Sequence, residues 1–466
     1  MKPIIKIENF SFSYDNVNKQ LNNVSLDINK GECVLVTGES GCGKTTLTRV
    51  LNGLVPYYYE GMIEGNIHID GKSIQDMESW EYGLITGSVF QDTRSQFFTS
   101  NVIDELSFAS ENYSQTKEII ISQIKKVATS NKIEYLLNNK LDKLSSGEKQ
   151  KVATSAVQVG NPEIYLLDEP SANLDYNACN VLATTIKQLK SEGKTIIIAD
   201  HRIAYLMDVI DRVIYMKDGK IVDQYTVNEF KALSDKQVED LGIRDRMIIK
   251  NNQKCSQIID GSSLLNIRDL SVGYKKSLIK DINLSLKQGE TIVLTGSNGI
   301  GKTTLAKTLC GLMKEKSGYI EFNRKKLSVK DRRKVFWFVL QDTDYQLFSE
   351  SVLNELLLGH KKTVENIQHA EMILDMLNLS SFKEKHPATL SGGQKQRLTF
   401  AVGLMRLPNV LILDEPTSGL DAVNMKRIKD MIFEYAAKGI SFIVISHDNE
   451  FIRSLGCRVI ELSGVM

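Results

Sequence analysis

Two segments carry the side chains of phosphate chemistry. Gly38, Glu39, Ser40, Gly41, Cys42, Gly43, Lys44, Thr45 and Thr46 follow one another in the first; Gly296, Ser297, Asn298, Gly299, Ile300, Gly301, Lys302, Thr303 and Thr304 do so in the second. Both fit G-x-x-x-x-G-K-[ST], in which small residues let successive backbone N–H groups wrap a triphosphate, the lysine reaches the outer phosphates and the hydroxyl ligates Mg2+. A plain Gly-rich turn would satisfy the same few positions. Here, however, each copy lies between a short apolar run and a run of helical periodicity, which is the context the phosphate reading requires.

About 120 residues further on, each half has an apolar run ending in Asp-Glu, "IYLLDEP" with Asp168 and Glu169 and "VLILDEP" with Asp414 and Glu415. The aspartates are placed to hold Mg2+ through its water shell, and the glutamates to orient and deprotonate an attacking water. Gln91 and Gln341 are candidate Mg2+ or water contacts, and His201 and His447 candidate γ-phosphate contacts. A lone glutamine or histidine is more often structural, but these recur in register with the glutamates. His68, His360, His369 and His386 do not recur and are read as core or surface. Tyr14 and Tyr274 stand 24 and 22 residues before the first glycine of their loops. Each has two open readings, a ring stacked on adenine or a strand tyrosine packed in the core. A third pair of segments, "LSSGEKQ" from Leu144 and "LSGGQKQ" from Leu390, precedes helical runs and so makes an anion site of backbone N–H groups, without the G-K-[ST] lysine of a phosphate-binding loop.

The elements that position these residues alternate between strand and helix. "CVLVTG" and "TIVLTG" read as strands leading into the Gly-rich loops. "IYLLDE", "VLILDE", "TIIIAD" and "SFIVIS" read as buried parallel strands with polar C-terminal ends, the edge at which such sheets bind ligands. The whole series is written twice. The offset is 258 from Lys44 to Lys302, 250 from Gln91 to Gln341, and 246 from Leu144 to Leu390, Glu169 to Glu415 and His201 to His447. The first half is therefore the longer, with extra residues around "PYYYEGMIEG" and before the signature. The fold class is α/β with two tandem domains, at residues 1–225 and 264–466, joined by a polar linker over 226–263 with a short helix near "VEDLGIRD".

Composition sets the outer limits. The 466 residues are 42% hydrophobic and 25% charged, as expected of a chain with two or three packed domains. Lys and Arg number 58 against 57 Asp and Glu, so no overall basic field calls for nucleic acid. Cys33, Cys42, Cys179, Cys255, Cys310 and Cys457 form no C-x-x-C pair, which argues against zinc or a disulfide framework and for a reducing compartment. The first residues lack the apolar core of a signal peptide, and no window reaches the ~18 apolar residues of a membrane span. Membrane work is expected to pass through a partner.

The order of phosphate loop, Gln, "LSGGQ", "LLDEP" and late His resembles that of the ATP-binding cassette (ABC) ATPases, over nearly the whole chain twice. The resemblance implies P-loop NTPase domains, each with a mostly parallel sheet core, a β-subdomain and a helical subdomain, and ATP and Mg2+ as cofactors. It also implies a head-to-tail pairing of cassettes. Ser391, Gly393 and Gln394 would then cap the ATP on Lys44, and Ser145 and Gly147 the ATP on Lys302, which would explain why the signature needs no phosphate-loop lysine: the opposite cassette supplies it. "QDTRSQFFTSNVIDELSFA" and "QDTDYQLFSESVLNELLLG" look like the stretch of the energy-coupling factor (ECF) importers of vitamins and transition-metal ions that lies beside the transmembrane partner. That subfamily implies a peripheral ATPase at the cytoplasmic face of the membrane, with a coupling protein and a substrate-binding membrane component as partners.

Other double cassettes fit less well. A translation factor of the ABC-F type carries a long charged helical linker, whereas the connector here has about 40 residues. A chromosome-organising ATPase needs a coiled coil between Gln and signature, and only 53 residues separate Gln91 from Leu144 and 49 separate Gln341 from Leu390. A dead cassette is disfavoured because both halves keep Lys, Asp, Glu and His. The first signature departs from the family at Ser146 and Glu148. A carboxylate there repels a triphosphate unless it is turned away or paired, for instance with Lys149.

Overall fold

A computed structural model describes residues 2–15, 17–172, 174–247 and 263–464. It comprises two compact units, Met1–Ile248 and Ile249–Met466. In the first, strands Arg212–Lys217, Cys33–Gly38, Thr195–Ala199, Ile164–Asp168 and Thr86–Val89 lie side by side in that order, all parallel, with Lys220–Thr226 antiparallel at one edge. Their runs of Val, Ile and Leu are buried on both faces, which is why they are continuous rather than alternating. Each fully buried Ile or Leu contributes roughly 1.5–3 kcal/mol. The register sets Asp168 beside Ala199 and Val36 beside Ala199, so the phosphate loop, the Asp-Glu pair and His201 leave the sheet at one edge.

The second unit repeats the plan with Phe336–Val339, Val410–Asp414, Ser441–Ile445, Thr291–Thr295 and Arg458–Glu461, all parallel, and Asp414 beside Ile445. Each unit adds a four-stranded antiparallel sheet, around Ile5–Ser13 in one and Leu265–Gly273 in the other. Each also has a helical part. In the first unit, helices Val102–Asn112, Lys117–Ser130 and Ser146–Gly160 share a separate core of Val102, Leu106, Ile120, Ile124, Val152 and Val159.

The connector differs from the expected linker. Residues 227–247 belong to the first unit: helices Val227–Ala232 and Asp235–Asp240 both start in capping boxes, at Thr226 and Ser234, and bury Phe230 and Val238 in its core, with Ile243 just beyond them also buried there. The boundary at 225 is therefore too early. Its polar composition hid the three apolar anchors, spaced too widely to read as a periodic face. The remainder of the expected linker, 248–262, lies outside the described residues.

Candidate active site

The two phosphate loops have the same construction. Lys44 lies almost fully buried beneath its loop and donates Nζ to the carbonyls of Gly38 and Glu39, each at 3.0 Å; Lys302 does the same to Gly296 at 2.7 Å and Ser297 at 3.1 Å. Glycine is required at the turn into the helix. Gly43 has φ 105°, and a Cβ there would meet the Gln20 carbonyl oxygen at 2.6 Å. Helices Lys44–Leu51 and Lys302–Leu309 begin directly behind these glycines, so their first N–H groups face the loop.

The Mg2+ candidates also meet. Thr45 Oγ1 donates to Asp168 Oδ1 at 3.2 Å, and Thr303 Oγ1 to Asp414 Oδ2 at 2.7 Å. Hydroxyl and carboxylate thus share one point at the loop's end, the oxygen donor set a hard cation takes when nucleotide phosphates and water complete it. Burial pushes the Asp168 carboxyl up to about 6 and raises Asp414 in the same way, a cost that a bound cation would offset. Among the described residues no cluster of three or more His, Cys, Asp or Glu forms a metal cage independent of the nucleotide.

Glu169 and Glu415 follow these aspartates with φ 44° and 50°, left-handed values that cost a non-glycine residue about 1–2 kcal/mol. The bend turns the carboxylate off the strand axis. Gln91 Nε2 donates to Glu169 Oε2 at 2.6 Å, and His201 Nε2 lies 3.5 Å from Glu169 Oε1. In the second unit Glu415 Oε2 accepts from Ser446 Oγ and from the His447 backbone N–H, each at 3.3 Å, with His447 Nε2 3.7 Å from Oε1. Burial, followed by the adjacent Asp414 charge, pushes Glu415 up to about 8. Gln341 leaves the end of strand Phe336–Val339 at the same edge.

The tyrosines differ. Tyr14 is half-buried, its ring edge-on to Phe12 at 4.7 Å and to Tyr59 at 5.9 Å, and its hydroxyl accepts from Arg49 at 3.2 Å. Tyr274 is 60% exposed. The Tyr59 contact comes from the longer "PYYYEG" segment, which only the first half has.

Both signatures form capping boxes at Ser145 and Ser391, with Gly147 and Gly393 in the first turn. The third helical residue distinguishes them. Gln394 Oε1 accepts the Ser391 N–H at 2.9 Å, whereas Glu148 Oε2 accepts both the Ser145 N–H at 2.9 Å and the Ser145 hydroxyl at 2.7 Å. The carboxylate is turned back onto Ser145, and the pairing is with that serine rather than Lys149.

Sequence reasoning missed the braces of the loop after Gln91 and Gln341. Glu105 is buried and accepts from Phe98 N at 3.1 Å and Thr99 N at 2.9 Å; Glu355 accepts from Phe348 N and Ser349 N, each at 2.7 Å. Gln96 and Gln346 accept from Phe90 N at 3.1 Å and Leu340 N at 2.8 Å. So held, both loops present a phenylalanine outward: Phe98 and Phe348 are each 76% exposed. The signal was the repeated Q-x-F and V-x-x-E spacing, visible but without an assigned bond.

Two tandem α/β units, each with a buried loop lysine, a Thr–Asp pair and a strand-end glutamate, define a nucleotide-hydrolysing protein with two sites' worth of machinery. The chain belongs to the ATP-binding cassette family and is an ABC ATPase: the family model described as ABC transporter matches residues 21–172 and again 279–418. A protein of Treponema denticola, provisionally named an ABC transporter ATP-binding protein, is 41% identical over 99% of this chain and 96% of its own length. The HMP/thiamine import ATP-binding protein YkoD of Bacillus subtilis, also a provisional name, is 33% identical over 98% of this chain and 90% of its own. Among solved structures the chain is similar to the RNase-L inhibitor, with TM-score 0.67 and 23% identity over 98% of this chain and 88% of that one. It is also similar to ABCE1 in a model of ribosome-bound archaeal Pelota and ABCE1, with TM-score 0.69 and 23% identity over 96% and 74%. Those two likenesses are of fold.

Proposed function

We propose that the chain energises a membrane importer of the ECF type, carrying a vitamin or a transition-metal ion, as a peripheral subunit at the cytoplasmic face. Two ATP molecules with Mg2+ are sandwiched head to tail between the cassettes. Lys44, Thr45, Gln91, Asp168, Glu169 and His201 work with the signature of Ser391 and Gly393. Lys302, Thr303, Gln341, Asp414, Glu415 and His447 work with that of Ser145 and Gly147. Glu169 and Glu415 orient and deprotonate water, and Mg2+ neutralises charge on the phosphates.

The observation that carries the partner reading is the pair of braced loops. Each cassette holds a phenylalanine 76% exposed at the same place, on a loop pinned by a buried glutamate. An apolar anchor of this kind suits a pocket on a cytoplasmic helix of a transmembrane subunit. The described residues contain no helix long and apolar enough to cross a membrane. The similarity to a protein named for HMP/thiamine import supports the importer class.

The test is affinity capture of the tagged chain from detergent-solubilised membranes, followed by mass spectrometry and ATPase assay. Polytopic membrane proteins that stimulate hydrolysis are the expected outcome. Recovery of ribosomes without membrane proteins would overturn the importer reading in favour of a translation factor.

A further inference from the structure

The second cassette's signature helix holds the backbone of that cassette's own general base. Gln396, 6% exposed, donates Nε2 to the main-chain carbonyl of Glu415 at 3.0 Å. The same carbonyl accepts from Ser418 N at 3.2 Å, and the Glu415 N–H donates to the Ile445 carbonyl at 2.9 Å. A left-handed non-glycine residue persists only where its surroundings over-determine it, and Gln396 is one of three hydrogen bonds that do so here. The helix is itself anchored: the next residue, Arg397, is buried and donates Nε to the Leu377 carbonyl at 3.0 Å.

The first cassette has the same glutamine and lacks the link. Gln150 is 7% exposed, yet its Nε2 has no hydrogen-bond partner among the described residues. Lys151 stands in place of Arg397 and Asn131 in place of Leu377, and a cavity of about 20 Å³ lies between them, Gln150 and Leu174.

We propose that Gln396 is a positioning residue that couples the second signature helix to Glu415, and that the first cassette has no equivalent coupling. The consequence rests on the head-to-tail reading above. Ser391, which caps the ATP on Lys44, and Gln396, which holds the base acting on the ATP at Lys302, lie less than two helical turns apart. Closure of the first site thus sets the geometry of the second, and the reverse path through Gln150 is missing.

The experiment measures single-turnover hydrolysis by the full chain in two backgrounds, Glu169→Gln, where Glu415 turns over, and Glu415→Gln, where Glu169 does. Misplacing a base by a fraction of an ångström to 1 Å costs about tenfold to a hundredfold. Gln396→Leu is expected to lower the Glu415-dependent rate by at least about tenfold, with ATP affinity unchanged within error, and to affect the Glu169-dependent rate several times less. Gln150→Leu is expected to leave both rates unchanged. Equal losses in both backgrounds, or a fall in ATP affinity and thermal stability in place of rate, would make Gln396 merely structural and overturn the proposal. Ser391→Ala in the same backgrounds reports separately on the head-to-tail reading: it lowers the Glu169-dependent rate if that reading holds and the Glu415-dependent rate if it fails.

Discussion

Replacing Glu148 with Gln is expected to speed hydrolysis at the site built on Lys302. In the first signature the Ser145 hydroxyl is spent on Glu148 Oε2 at 2.7 Å, whereas Gln394 takes only the backbone N–H of Ser391. A hydroxyl–carboxylate bond is charge-assisted and contributes ~1.5–3 kcal/mol net. This one is exposed, so the low end applies, and giving it up to reach a γ-phosphate costs roughly tenfold in capture. The glutamine variant keeps the helix cap, because its amide oxygen accepts the Ser145 N–H as Gln394 accepts that of Ser391. The assay is single-turnover hydrolysis in the Glu169→Gln background, as a double-mutant cycle with Ser145→Ala. Glu148→Gln should raise the rate about tenfold. Ser145→Ala should cost little beside Glu148 and most of the gain beside Gln. An unchanged rate in Glu148→Gln, or an equal cost of Ser145→Ala in both, would refute the sequestration argument.

Replacing both Glu169 and Glu415 with Gln should preserve ATP binding by equilibrium dialysis and lower turnover by roughly 10²–10⁴-fold, since the carboxylates serve water and not the phosphates; parental turnover would remove them from that role. In the nucleotide-free chain, folded Glu415 keeps its proton up to about pH 8 against an ordinary value of 4.5. Unfolding therefore releases a proton between those values, and stability present below pH 4.5 is lost as pH rises through 8, about 5 kcal/mol at most. Melting curves at pH 6 and pH 8.5 should show the parent falling relative to Glu415→Gln; parallel shifts would contradict it. Phe98→Asp and Phe348→Asp should each weaken partner binding by about thirtyfold or more while basal ATPase stays within error, read by co-purification and ATPase rates; undiminished partner binding would move the docking surface elsewhere.

Much of this was legible because phosphate chemistry fixes residue types at fixed spacing. A lysine and hydroxyl behind a Gly-rich turn, and an acid at a strand end, announce their strands and helices, and the same motif order, at a 246-residue offset from the signature onward, announced the repeat. What stayed hidden depends on contacts distant in sequence. The turn of Glu148 onto Ser145 was legible in the S-x-x-E spacing of a capping box, but the adjacent Lys149 offered a rival partner. Tyr14 read the same as Tyr274, and its contacts with Phe12, Arg49 and the Tyr59 ring, the last brought by an insertion, set them apart. Gln396 and Gln150 hold the same place in their signature segments and differ in whether a carbonyl lies within reach. A short helix near "VEDLGIRD" was expected, but the docking of this segment on the first unit escaped notice because three buried side chains, Phe230, Val238 and Ile243, anchor a stretch that is polar elsewhere.

The head-to-tail sandwich is tested most directly by an ATP-dependent cross-link. In a chain with its own cysteines replaced and with Glu169→Gln and Glu415→Gln to hold ATP, cysteines are introduced at Ser40 and Gly392 and oxidised with and without Mg2+ and ATP. The account predicts a disulfide within one chain that forms when nucleotide is bound and is sparse without it. A yield indifferent to ATP, or Ser40 joining instead to a cysteine placed at Ser146 of its own cassette, would contradict it.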